Sequence, residues 1–295
     1  MNSRPSRSRP RSTRTQTTAF YSSESYIRHP KLLFRAMIQD LLASRELAWR
    51  LLVRDISAKY RQSALGFLWA VIPPIITAIG FTFAKGSGII NVGSTDLPYP
   101  AYVMLSMTLW QIFVESLNAP LQALGGARSM ISRVNFPREA LILAKLGEVF
   151  FGFGIKLVLI IGLFVTFRIP VTWSVLLAPV PLLHLVFLGT FLGLLIAPIA
   201  VLYSDFSMAL TLVTGLWFFI TPVVYPVPSQ GALSQIIQWN PVTPLLVTTR
   251  ELATTGILSN PQGFWAASLF ALVGLLVAWL VYRLAIPYVV ERISS

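Results

Sequence analysis

The chain has 295 residues, 55% of them hydrophobic and 12% charged, with a formal net charge of +12 and no cysteine. Soluble domains carry about a quarter charged residues, and burial in a fold of this length saturates near about three-quarters of the surface. The composition therefore excludes an ordinary water-soluble globule, and the missing cysteines exclude disulfide frameworks and thiolate chemistry.

Residues 1–44 form a basic tail, and residues 1–25 of it are Ser-, Arg- and Pro-rich with almost no apolar content. Such a stretch cannot offset the entropy of ordering, so disorder is expected there. Residues 1–62 hold 13 of the 23 Lys and Arg. Attached to a lipid-soluble body, that charge suits anionic headgroups and cytoplasmic retention rather than nucleic acid. No short apolar run with a small-residue cleavage site follows the basic start, so the first span is expected to act as the insertion signal.

Residues 45–62 read as an interfacial helix. Trp49, Leu52, Val53, Ile56 and Tyr60 recur at helical spacing, with Arg50, Arg54 and Arg61 beside them, as in a helix lying in the headgroup layer. A helix packed on a partner would show the same pattern. Six stretches then approach the roughly 20 apolar residues needed to cross a bilayer: 64–84, 101–124, 141–167, 173–202, 207–225 and 263–283. The Pro73–Pro74 pair is expected to kink or break the first, and Pro179, Pro181 and Pro198 to bend the fourth. The expected fold is all-α and polytopic, with six transmembrane helices in a 63–285 domain and a short 286–295 C-terminus.

Loop charges orient these spans. With the N-terminus inside, segments 1–62, 125–140, 203–206 and 283–295 carry 13, three, none and two Lys or Arg, 18 in all. The opposite segments hold three, Lys85, Arg168 and Arg250. Both termini are expected in the cytoplasm. The longest outer segment, 226–262, contains two short half-apolar stretches, Ala232–Gln238 and Thr243–Thr255. These read as re-entrant helices, the second with Thr243 as N-cap and Pro244 at its first position.

The chain has no Gly-Lys dipeptide and hence no Walker loop; it has no G-x-S-x-G or H-E-x-x-H either. His29 and His184 match no metal-ligand spacing. Charges within spans cost about 2.5–3.5 kcal/mol each at the bilayer centre and are functional candidates for that reason. Here they are Glu115, Glu148 and Lys156. Glu115 falls about 21 Å from the outer start of the second span and Lys156 about 16 Å from the outer end of the third. These depths allow an ion pair between spans, or separate contacts with a hydrated path. Trp69, Tyr102, Trp110, Phe113, Trp217, Phe218, Phe219 and Tyr225 lie in or beside the first, second and fifth spans. Such rings can line a carbohydrate path by stacking on sugar C–H faces, or form an interfacial belt.

Four segments, taken as a set, resemble the type-2 ABC permeases of bacterial polysaccharide exporters, those for O-antigen, capsule and teichoic acid. They are Lys59-Tyr-Arg-Gln-Ser-Ala-Leu-Gly-Phe-Leu-Trp69, Ile131-Ser-Arg-Val-Asn-Phe-Pro-Arg-Glu139, Phe219-Ile-Thr-Pro-Val-Val-Tyr-Pro226 and Trp239-Asn-Pro-Val-Thr-Pro-Leu245. In order and spacing they cover residues 45–285. The resemblance implies a homodimer in the bacterial inner membrane that recruits two copies of a separate ATPase, which binds ATP and Mg while this chain holds no cofactor. It implies a coupling helix at about 128–139, with Arg128, Ser129, Arg133, Phe136, Pro137, Arg138 and Glu139 meeting the ATPase. It also implies external gate helices at about 229–258. Members often carry Arg-Asp after the fourth span, where this chain has Ser204–Asp205.

The implied activity is export of a lipid-linked polysaccharide, O-antigen-like and carried on undecaprenyl diphosphate. Arg50, Arg54 and Arg61 are expected to meet its pyrophosphate, since guanidinium groups hold phosphate bidentately; snorkelling to lipid phosphates is the other account of the same residues. Teichoic acid, capsule or a small lipid or drug are alternative cargoes of the same architecture. An ion channel or scaffold would need no coupling loop. A lipid-linked glycosyltransferase would need external carboxylates, and the outer segments offer only Asp96 and Glu251.

Overall fold

The computed structural model describes residues 30–61, 63–127, 138–228 and 230–294, and all regular structure among them is helical. The chain divides into two units, Met1–Gln39 and Asp40–Ser295. Of the first, the described part is the opening of helix α1 (Pro30–Arg61). The second holds the rest of α1, α2 (Leu68–Gly86), α3 (Tyr99–Gly126) and α4 (Glu139–Thr166). A 3-10 turn (Trp173–Leu177) then leads into α5 (Pro179–Ala200), α6 (Ser204–Ile220), the short α7 (Ala232–Trp239) and α8 (Val242–Ala253), and the long α9 (Pro261–Ser294).

Within the second unit α5 is the axle. It packs most extensively on α3 and α9, while α4 and α2 pack on the other flank of α3 and α8 lies across α5 and α9. Of its most apolar stretch 61% is buried, against 11% for α2 at the periphery. The reason is local. Gly189 and Gly193, one turn apart on α5, face the α3 backbone: a Cβ at Gly189 would lie 2.6 Å from the Phe113 carbonyl oxygen, and one at Gly193 2.2 Å from that of Leu117. Glycines spaced this way let two helices approach to backbone contact, which gains dispersion where lipid removes the hydrophobic drive. Ser116 and Thr190 on these helices return their hydroxyls to carbonyls four residues back in their own helices.

Four helical stretches are long and apolar enough to cross a membrane: α2, α4, the 3-10 turn with α5, and α9. Two of the six expected spans differ, for separate reasons. Helix α3 has the length, 28 residues, but carries Ser106, Thr108, Gln111, Glu115, Ser116 and Asn118. It tolerates them because it is surrounded by protein. Helix α6 is apolar but has 17 residues. Thr221 is extended, as the residue before a proline tends to be, and Pro222 ends the helix where the sequence pattern ran on to 225.

Other boundaries also moved. Helix α1 begins at Pro30 rather than 45, because Lys31–Ser44 has no Gly or Pro and is rich in strong helix formers behind a proline at the first position. Helix α9 continues to Ser294 through Pro287 instead of stopping at 283. The Pro73–Pro74 pair does not end α2. In the second turn it removes just two N–H donors and leaves the rest of the ladder intact. Helix α8 starts at Val242 with Pro241 at the N-cap position, and Asn240 just before it accepts the Val242 N–H on its Oδ1 at 3.1 Å; Thr243 lies inside the helix with a buried hydroxyl lacking a hydrogen bond.

Gly193→Ala places a methyl group on the Leu117 carbonyl and is expected to lower stability by about 1–3 kcal/mol. Gly154→Ala, in open space, is expected to be neutral. Thermal unfolding of the two purified variants in detergent checks the contrast.

Candidate functional site

At the α1 end the expected apolar stripe is split. Ser44, Ala48 and Leu51 are buried, whereas Trp49 and Val53 face outward. Leu52 seats over Gly147 of α4, where a Cβ would come within 2.8 Å of Leu52 Cδ2. Three residues on, Asp55 Oδ2 meets Lys145 Nζ of α4 at 2.9 Å, and Lys145 also pairs with Glu148. Burial pushes the Asp55 carboxyl up, but hydrogen bonds and charge from Lys145 and Arg54 outweigh it and hold the group below its ordinary value of 3.8. That stabilisation is complete above 3.8 and is lost as pH falls through the lower folded value. The inward row of α1 thus carries polar anchors as well as apolar packing. This is why the sequence stripe, drawn from apolar residues alone, was rotated.

The three arginines proposed for a headgroup share one outer face of α1, being four and seven residues apart. All are exposed: Arg50 pairs with Glu46 at 2.6 Å, Arg54 with Asp55 at 2.8 Å, and Arg61 closes the helix. Exposed pairs of this kind are worth about 0–1 kcal/mol, so Arg50 can exchange its partner for another anion at little cost. Tyr60, Phe67 and Phe151 cluster next to Arg61, with ring centroids 4.3–6.1 Å apart. Phe67 continues into an apolar groove of about 700 Å³ between α2 and α4, floored by Met104.

Of the coupling residues, Arg128, Ser129, Arg133, Phe136 and Pro137 lie outside the described residues. Arg138 precedes α4, and Glu139 opens it with its side chain largely buried, 3.6 Å from Arg283 of α9. Arg283 also pairs with Asp40 of α1.

Deeper in the bundle, Lys156 Nζ donates to Glu115 Oε1 at 2.6 Å, joining α4 to α3. The two sides are unequal. The Lys156 side chain is 1% exposed and that of Glu115 42%. A buried ammonium has no other source of compensation there, so the carboxylate is obligatory for the lysine and not the reverse. Glu148, the third intramembrane charge, is held by Lys145.

The aromatic candidates come together, but mostly as packing. Tyr102, Trp110 and Phe113 of α3 are buried. Trp110 stacks with Phe113 and Phe218, and Phe113 meets Trp217, at centroid separations of 5.3–5.9 Å. In this conformation these rings join α3 to α6 and do not line an open path. Trp69 and Phe219 are the exposed ones.

At the opposite end, a hydrogen-bonded network that the sequence reading did not anticipate, though it named several of its members, holds the turn after α6. Arg250 of α8, 8% exposed, donates to Ser106 Oγ at 2.9 Å and to the Pro222 carbonyl at 3.4 Å, with its guanidinium 4.2 Å over the Tyr102 ring. Tyr102 and Tyr99 donate to the carbonyls of Tyr225 and Val224, each at 2.8 Å. Asn240 accepts from Trp217 Nε1 at 3.0 Å and donates to Thr221 at 2.9 Å. One signal for Arg250 was present: it is the single basic residue between Arg168 and Arg283. His184 contacts Ser268 at 3.1 Å. Among the described residues no group of His, Asp or Glu is arranged to hold a metal ion.

Four helical stretches long and apolar enough to cross a bilayer, with an ion pair inside the bundle, mark a multi-pass helical membrane protein. The chain belongs to the ABC-2 type transporter family, whose sequence model matches residues 46–253. It is 26% identical over 223 residues to the O-antigen export system permease protein RfbA of Myxococcus xanthus, covering 73% of this chain and 83% of that protein. A protein of the same name from Klebsiella pneumoniae is 24% identical over 214 residues, 70% of this chain and 79% of that one. The polysialic acid transport protein KpsM of Escherichia coli is 20% identical over 246 residues, 79% and 91% of the two chains.

Glu115→Gln strands Lys156 and is expected to cost about 3–5 kcal/mol, while Lys156→Met leaves a carboxylate outside the packed interior, where it can be neutralised by taking up a proton, and costs less. The double variant is expected to recover part of the loss. Thermal melts of all four proteins test the cycle, and additive effects would dissolve the pair.

Proposed function

We propose that this chain is the membrane-spanning subunit of an exporter that moves a lipid-linked polysaccharide across the bacterial cytoplasmic membrane, driven by ATP hydrolysis on a separate subunit. The observation that carries this reading is the family match over 46–253 together with the relatives' names, two O-antigen export permeases and a polysialic acid transport protein. The absence of a Gly-Lys dipeptide supports placing ATP and Mg on a partner. The working unit in this reading is a homodimer with two ATPase copies, each chain crossing six times. The fifth and sixth crossings beyond the four long apolar stretches are α3, shielded by its neighbours, and α6, extended by the 221–226 turn.

The charge count of 18 against three favours both termini in the cytoplasm. That puts α1, the 128–139 coupling segment and the end of α9 on the ATPase side, and α7–α8 outside as a gate. The cargo is O-antigen-like, on a carrier such as undecaprenyl diphosphate. Capsular polymer is the second reading, favoured by the likeness to the polysialic acid transport protein. Arg50, Arg54 and Arg61 position the pyrophosphate: they share an exposed face, Arg50 pairs with the exposed Glu46, and Arg54 keeps most of its side chain outside while it holds Asp55.

Deleting the gene is expected to remove the polymer from the cell surface while its lipid-linked form accumulates inside, and the chain with its ATPase restores export. Unchanged surface polymer in the deletion strain overturns the reading. Within it, replacing Arg50, Arg54 and Arg61 together by Gln is expected to reduce export about tenfold or more with membrane insertion intact. Pulse-chase labelling of surface polymer, beside membrane fractionation, measures both, and full export in the triple variant removes the headgroup role.

A further inference from the structure

Arg283 sits on α9 between two carboxylates from different elements. Its Nη2 hydrogen-bonds Asp40 Oδ2 of α1, and its Nη1 lies 3.6 Å from Oε1 of Glu139, the first residue of α4. The two contacts are unequal. The Asp40 side is a formed hydrogen bond, whereas Nη1 is a buried donor without one, and the neighbouring Tyr282 hydroxyl is also buried without one. The fork is seated on Asp40 and still open toward Glu139. Arg138, next to Glu139, supplies the second positive charge that two carboxylates around one guanidinium require.

The position of this node is what matters. Glu139 is joined through Arg138 to the 128–137 segment. Asp40 lies on α1, which is fastened again about 22 Å further along by Asp55–Lys145 and by Leu52 over Gly147. A planar guanidinium can hold two acceptors at once, while a lysine ammonium is a point charge without that fixed fork.

We propose that Arg283 is a positioning residue for transport: by sharing its guanidinium between Asp40 and Glu139 it passes displacement of the segment ahead of α4 to helix α1. This rests on the reading of the chain as an ATPase-driven exporter. When the start of α4 is pressed toward the bundle, Nη1 closes on Glu139 and Asp40 carries the near half of α1 with it. The far half follows through Lys145, so α1 moves as a bar and not as a frayed end.

The test uses the full chain assembled with the nucleotide-hydrolysing subunit that co-purifies with it, comparing wild type, Arg283→Lys and Asp40→Asn. Lysine keeps the charge but loses the fork, and Asp40→Asn, at the other end of the fork and away from the coupling segment, is a milder change should the first disturb folding. Both variants are expected to assemble and to hydrolyse ATP within about twofold of wild type, while polymer exported per ATP falls about tenfold or more. Because the chain has no cysteine, spin labels at Arg45 of α1 and Tyr288 of α9, both exposed, report the motion directly. An ATP-driven distance change in wild type is expected to vanish in Arg283→Lys. Wild-type export per ATP in both variants overturns the proposal, as does an unaltered distance change. Parallel loss of hydrolysis and export in both variants also overturns it, since the residue is then structural. A wild-type chain that recruits no ATPase fails differently: it removes the exporter reading itself.

Discussion

An ammonium group buried in an apolar bundle has to be neutralised by something placed at its own depth, and Lys156 is that group here. Its side chain is 1% exposed and its partner, Glu115, is on the next helix at 2.6 Å. The pair fixes the register of α4 against α3 about midway along both. The glycines of α5 fix the other flank of α3 by backbone contact. Between them α3 is held from two sides, which is what allows a helix carrying Gln111, Glu115 and Asn118 to run through the middle of the structure. Loss of either restraint unseats the Lys156–Glu115 pair or the Arg250–Ser106 contact, and a buried polar group left without its partner costs on the order of a few kcal/mol, a large share of a domain's stability.

What was legible in the sequence follows from this. Long apolar runs mark helices whether they end at the periphery, as α2 does, or in the centre of the bundle, as α5 does, so α2, α4, α5 and α9 could be read directly. Glu115 and Lys156 stood out because a charge within such a run is rare. Helix α6 was placed but overrun, since Pro222 ends it while apolar residues continue. The start of α1 was missed because an amphipathic stripe was sought where helix propensity alone carries the helix back to Pro30. Residues that act through hydrogen bonds across long separations were not legible. Arg250 meets Ser106 over 144 positions and Tyr99 meets Val224 over 125, and no local pattern encodes either contact. The aromatic residues were found, but composition could not say that Tyr102, Trp110 and Phe113 would be interior.

The two ends of the bundle are built from different interactions. At the α7–α8 end, the turn after α6 is tied by neutral hydrogen bonds and a buried guanidinium, most of them out of water. Such a network is short-ranged and cooperative: it opens as a unit or stays shut. At the α1 end the ties are ion pairs of partly exposed side chains, Asp55–Lys145 and Asp40–Arg283. Each has a second charged neighbour within reach, Glu148 beside Lys145 and Glu139 beside Arg283, to which it can shift. One end is therefore suited to holding a position and the other to changing it.

This asymmetry bears on where a polymer could pass if the chain exports one. The ring cluster that joins α3 to α6 fills the space between those helices, so a path through the centre of one chain would have to dismantle it. The least covered helices are α2, 11% buried along its apolar stretch, and α6, which buries only Leu210 and Thr214 along its length. A sugar chain on such a face would meet Trp69 and Phe219 rather than Trp110 and Phe113. A path there needs a second wall, and two copies of the same chain facing each other supply one without any new element. On the proposed reading, the interior aromatics would hold α3 to α6 behind such a path, and Trp69 and Phe219 would be the rings a passing sugar meets.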